Sequence, residues 1–162
     1  MISAIKCLKC DKGFMLPKDP VDLESEWVCI DECCDGCSMS VETVKRLLRA
    51  LEISVEKVSL EENIDDTKNI YEALCCKLGL NKALHPNHFL RIRLRERVIQ
   101  YYRKMAKLAS CIETRLEALM HQVDVFKGLF DVMVTVDTSS ELWEQTLEKL
   151  EADIRKIDQA SQ

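Results

Sequence analysis

The sequence predicts a mainly α protein in which a small cysteine-rich zinc-binding module precedes an antiparallel, TPR-like helical array. Three observations carry that expectation. Six of the nine cysteines lie between Cys7 and Cys37. From Val41 onward, apolar residues recur at helical spacing. Only four glycines and three prolines interrupt the chain, and most of them come early.

The 162 residues are enough for a small module followed by a larger domain, which the change in texture places at residues 1–39 and 40–162. At 47% hydrophobic and 31% charged, the composition is that of a globular chain able to bury a core. Residues 7–40 read as turns and short extended pieces around Gly13, Pro17, Pro20 and Gly36. A first helix follows Ser40 as N-cap, with Val41, Val44, Leu47, Leu48 and Leu51 on one face. After a loop at "EENIDD", a second helix carries Ile70, Leu74, Cys75 and Leu78 and ends at Gly79. Beyond "LHPNH", a long helix shows a stripe of Leu90, Leu94, Val98, Tyr101, Met105 and Leu108. Ile112, Leu116, Leu119, Met120, Val123 and Phe126 predict a fourth helix ending near Gly128, with "DVMVTVD" either finishing it or forming a strand. Thr138 and Glu141 suggest a capping box for a last helix bearing Trp143, Leu147, Leu150, Ile154 and Ile157.

Lys+Arg 23 against Asp+Glu 28 gives a net charge of -5, so no overall basic field attracts nucleic acid or anionic lipid. No apolar run is long enough for a bilayer, and "MISAIKCLKC" lacks a secretory pattern. The expected location is cytoplasmic, nuclear or both, where thiols stay reduced and serve as metal ligands or core residues.

Cys7/Cys10 and Cys34/Cys37 are C-x-x-C pairs, with Cys29 and Cys33 between them. A tight turn within such a pair aims two thiolates at one ion, and two turns complete the tetrahedral shell of a structural zinc. Cys7 and Cys10 belong to every plausible ligand set. Their partners are Cys34 with Cys37, or Cys29 with Cys33 or Cys34, since several spacings work. Lys6, Lys9 and Lys12 would offset the charge of four thiolates. Few large apolar residues accompany the module, so metal would supply the folding free energy a thin core lacks.

Two ordered motifs, "KCLKCDKGFMLPKDPVDLESEWVC" and "LHPNHFLRIRLRERVIQYY", resemble the SET-and-MYND (SMYD) protein lysine methyltransferases, especially their arthropod branch. The residues that match are Cys7, Cys10, Gly13, Leu16, Pro17, Asp19, Pro20, Trp27 and Cys29, then Leu84, His85, Pro86, Asn87 and His88. The resemblance covers roughly residues 5 to 130 and implies the region after the catalytic SET domain. It favours Cys29 as a ligand, giving Cys7, Cys10, Cys29 and Cys34, with Cys33 and Cys37 as alternates for the last place. The family's glycine-rich cofactor segment, Asn-His motif and catalytic tyrosine have no counterpart here. S-adenosylmethionine is therefore expected only in a full-length parent with a SET domain, and this chain alone should be inactive.

Elsewhere the sequence favours structural roles. His85 and His88 flank a helix start, His121 sits in an amphipathic helix, and Cys75, Cys76 and Cys111 read as small core or boundary residues. Arg91, Arg93, Arg95 and Arg97 are spread around a helix, which predicts a solvated face with intrahelical ion pairs. Trp27 is expected to pack over the metal module. The expected function is thus an accessory region of a SMYD-like methyltransferase, with a zinc module and helices that govern substrate access. Its partners would be the missing SET domain, a histone or other substrate protein, and chaperone or co-repressor tails. The alternative is a free-standing, non-catalytic zinc adaptor between proteins.

Overall fold

The computed structural model describes residues 4–10, 12–32, 34, 36–60, 70–134 and 140–160. The extended pieces of the N-terminal quarter pair into an antiparallel meander: β1 (Ile5–Lys6), β2 (Phe14–Pro17), β3 (Trp27–Cys29) and β4 (Ser38–Met39), in that spatial order. Ile5 opposes Met15, Met15 opposes Cys29, and Trp27 opposes Met39. Strands this short hold too few residues for an alternating pattern, so the sequence shows only their turns. Ile5 and Met15 are fully buried, and β1 also bridges Leu84, while the His85 N–H donates to the Ala4 carbonyl at 3.1 Å.

Helix α1 (Val41–Lys57) begins where the sequence predicts, because extended Ser40 accepts the Thr43 N–H on its Oγ at 3.4 Å. Helix α2 (Ile70–Lys77) buries Ile70, Tyr71, Leu74 and Cys75, and the chain leaves it through left-handed Gly79, at φ 69°. A single helical turn, α3 (Leu80–Ala83), follows unforeseen, too short to carry a periodic signature. Helix α4 (Phe89–Leu108) buries Leu90, Leu94, Val98 and Tyr101 as expected. Its stripe then turns outward: Leu108 is 69% exposed while Tyr102 and Ala106 are buried.

In α4 the reading of the arginines is corrected in part, and the next helix outruns its expected end near Gly128, taking one of the two readings of the segment after it. The four arginines do not share a solvated setting: Arg93 is exposed and Arg97 half-buried, but Arg91 is buried and Arg95 lies over the Tyr71 ring at 4.6 Å from its centroid. Helix α5 (Ile112–Val134) runs through Gly128, so "DVMV" finishes a helix. Its buried face comprises Ala118, Gln122, Val123, Val125 and Phe126, leaving Ile112 and Met120 exposed. Helix α6 (Ser140–Ala160) packs along α5; Leu147, Leu150, Ile154 and Ile157 are half-buried. Lys127 reaches Glu151 at 2.8 Å, and Leu119 and Ile157 border one cavity, so the two helices run in opposite directions. The "EENIDD" loop and Thr138 lie outside the described residues. No helix among them is long and apolar enough to cross a membrane.

By compactness the chain forms two units, Met1–Ser59 with Glu72–Ile92, and Leu60–Tyr71 with Arg93–Gln162. The meander is thus grouped with α1, most of α2 and α3. Ile5, Met15, Val44, Val55, Leu74, Leu80, Leu84 and Leu90 form the core of the first unit.

His88 sits fully buried in that core and caps α4: its Nδ1 accepts the Leu90 N–H at 3.2 Å, and its carbonyl accepts Arg91 N–H at 2.9 Å. Burial, helped by neighbouring His85, lowers its pKa to about 4. The folded chain therefore holds His88 neutral where the unfolded chain begins to protonate. Its contribution is flat above pH 6.5, the unfolded value, and stability falls as pH drops from there to about 4. The loss expected over that window is about 3 kcal/mol. Denaturant unfolding of His88→Asn, which keeps a capping acceptor but cannot titrate, checks this; a pH slope unchanged from wild type would refute it.

Candidate metal centre

Two hairpin loops of the meander build the site. The first is closed by the Cys7 N–H donating to the Gly13 carbonyl at 2.9 Å, and carries Cys7 and Cys10. The second is closed by the Cys29 N–H donating to the Cys37 carbonyl at 3.0 Å, and carries Cys29 and Cys34. Within it the Cys34 N–H bonds to the Asp31 carbonyl, and Gly36 takes a left-handed φ of 57°, which turns the chain back toward β4.

The loops face each other, and the four sulfurs of Cys7, Cys10, Cys29 and Cys34 all lie within 4.8 Å of one another. The Cys7–Cys34 and Cys10–Cys29 sulfur pairs are each 3.7 Å apart. That is far beyond a disulfide bond, and all four are free thiols. A tetrahedral ion with metal–sulfur bonds of about 2.3 Å sets its sulfurs roughly 3.8 Å apart, so the donor set fits such an ion.

The electrostatics point the same way. Burial opposes ionisation of Cys7, but N–H groups of Cys10 and Lys9 and the thiols of Cys37 and Cys10 outweigh it and lower the pKa to about 6. The Lys9 N–H stands 3.4 Å from the Cys7 sulfur. Burial and the adjacent Cys10, Cys7 and Cys29 push Cys34 up to about 12. At Cys29 the Asp31 amide favours the thiolate, yet burial together with Cys10 and Cys7 leaves the pKa raised. Four thiols this close cannot all ionise alone, and a cation among them removes the conflict.

Gly13 is what lets the loops close. A Cβ at this position would stand 2.5 Å from the Cys29 sulfur, 2.7 Å from the Cys10 sulfur and 2.8 Å from Asp31 Cβ. In the sequence it is merely the glycine three residues after Cys10.

Of the alternates, Cys37 contacts Cys7 but stands outside the cluster, its pKa raised by that contact and by burial; Cys33 lies outside the described residues. Trp27 is half-buried in β3. His85 donates no ligand here: its Nδ1 accepts the Asn87 N–H at 3.0 Å, and its ring meets Phe14 edge-on at 4.6 Å. His121 stacks on Tyr102 at 5.3 Å. Cys75 is in the core, whereas Cys76 and Cys111 are exposed. No family model, curated protein or solved structure matches the chain.

Proposed function

We propose that the meander is a structural zinc module, and that the chain is the region following the SET domain of a SMYD-like protein lysine methyltransferase. The observation that carries it is the convergence of Cys7, Cys10, Cys29 and Cys34 on one point. Three of these, Cys7, Cys10 and Cys29, belong to the motif that resembles that family's. Four sulfurs close the shell and leave no position for a reacting water, so the metal's role is to hold the two loops. The antiparallel α5–α6 pair supports a TPR-like reading of the helices, which would flank a substrate channel and receive protein tails.

Elemental analysis of the purified chain is expected to give one zinc per molecule. A folded chain without zinc would sink the module. Transcripts reading in frame from upstream SET sequence through the codon for Met1 would support the methyltransferase assignment. A separate promoter with an in-frame stop would favour the free-standing adaptor instead. That second reading draws on apolar side chains displayed on the module, with Leu8 74%, Val21 88% and Leu23 83% exposed.

A further inference from the structure

In the second compact unit, faces of three helices converge on a solvent-open cavity of about 460 Å³. Helix α4 contributes Arg103, Ala106 and Lys107; α5 contributes Arg115, Leu119 and Gln122. The third wall, from α6, includes Leu150, Asp153, Lys156 and Ile157. A second hollow of about 380 Å³ shares Arg103, Leu150 and Asp153 and extends the groove to Lys149.

Two features set this cavity apart from a gap in packing. The first is its charge. In a chain of net charge -5, its lining holds four cations and a single carboxylate, and that carboxylate, Asp153, already lies 3.7 Å from Lys156. Arg103, Lys107 and Arg115 leave the hollow positive. The second is Gln122, whose side chain is fully buried in the wall with neither amide atom hydrogen-bonded. A buried amide with both its donor and its acceptor unmet is rare, and it asks for a partner. Leu119, Leu150 and Ile157 supply apolar surface beside these groups, and the volume lies in the range of small-molecule sites.

We infer that this cavity binds a small organic anion with a compact apolar body. The body would lie against Leu119, Leu150 and Ile157. The acidic group, carboxylate or phosphate, would be held by Arg103, Lys107 and Arg115, and the Gln122 amide, now buried in the wall, would turn into the cavity to meet a polar substituent.

Titration calorimetry of the full chain at low salt tests this with four probes: 1-naphthyl phosphate, 1-naphthoate, the neutral 1-naphthalenemethanol and inorganic phosphate. At least one naphthyl anion is expected to bind about tenfold more tightly than the neutral alcohol or inorganic phosphate. Which anion binds better identifies the acidic group. Arg103→Gln with Lys107→Gln should weaken the anion about tenfold without changing the alcohol. Gln122→Leu should weaken the anion while raising the melting temperature, a combination that a purely structural glutamine would not give. Equal binding of alcohol and anions, no binding by any naphthyl probe, or full affinity in the double variant would each overturn the inference.

Discussion

Cys7→Ser is expected to abolish tight metal binding and to unfold the β1–β4 meander, as chelation of the wild-type chain should. Cys7 is one of four sulfurs that cluster together, and the module's two large, fully buried side chains among the described residues, Ile5 and Met15, are too few to hold it alone. Structural zinc bound by four protein ligands supplies about 10–16 kcal/mol at neutral pH, as large as the whole stability of a typical domain. Competition with a colorimetric chelator measures the loss, and circular dichroism follows the fold. Cys37→Ser is the control, since Cys37 stands outside the four; it should keep one metal per chain. If Cys37→Ser lost metal as completely as Cys7→Ser, the ligand set described above would be wrong.

Gly13→Ala should come close to the same outcome without touching a ligand. The added methyl meets two ligand sulfurs and a backbone-anchored carbon from three sides, so no single side chain can rotate away to admit it. Parting the loops should cost about 3 kcal/mol, roughly a hundredfold in metal affinity. Gly36→Ala makes the comparison: nothing stands within 4 Å of its Cβ, and only the left-handed φ of 57° resists, at about 1 kcal/mol. Titrating zinc into both variants decides it. Equal affinities would mean that backbone strain rather than crowding governs these loops.

What the sequence disclosed was written in local chemistry. Ser40 before an apolar period marked α1, Gly79 marked a left-handed exit, and C-x-x-C marked one half of the thiol site. Tertiary contacts wrote the rest. Strands of two to four residues have no period to detect, and pairing register decides them. On α5 the large apolar residues Ile112 and Met120 suggested the wrong face, because the chain buries small Ala118 and polar Gln122 instead. Among the later cysteines, spacing alone allowed Cys33, Cys34 or Cys37, and Cys33 lies outside the described residues. The folded hairpin decides between the other two: the Cys34 sulfur joins those of Cys7, Cys10 and Cys29, and the Cys37 thiol falls outside.

The bridge from Ile5 to Leu84, with the His85–Ala4 hydrogen bond beside it, joins segments some eighty residues apart in the chain. The meander and the α3–α4 junction are therefore expected to open as one unit. In native-state hydrogen exchange the amides of Cys7, Cys29, Ile30 and His85 should share one opening free energy, and removing the metal should lower it at all four positions together. The ion would then act as a latch at a distance, setting the lifetime of a helix junction that it does not touch.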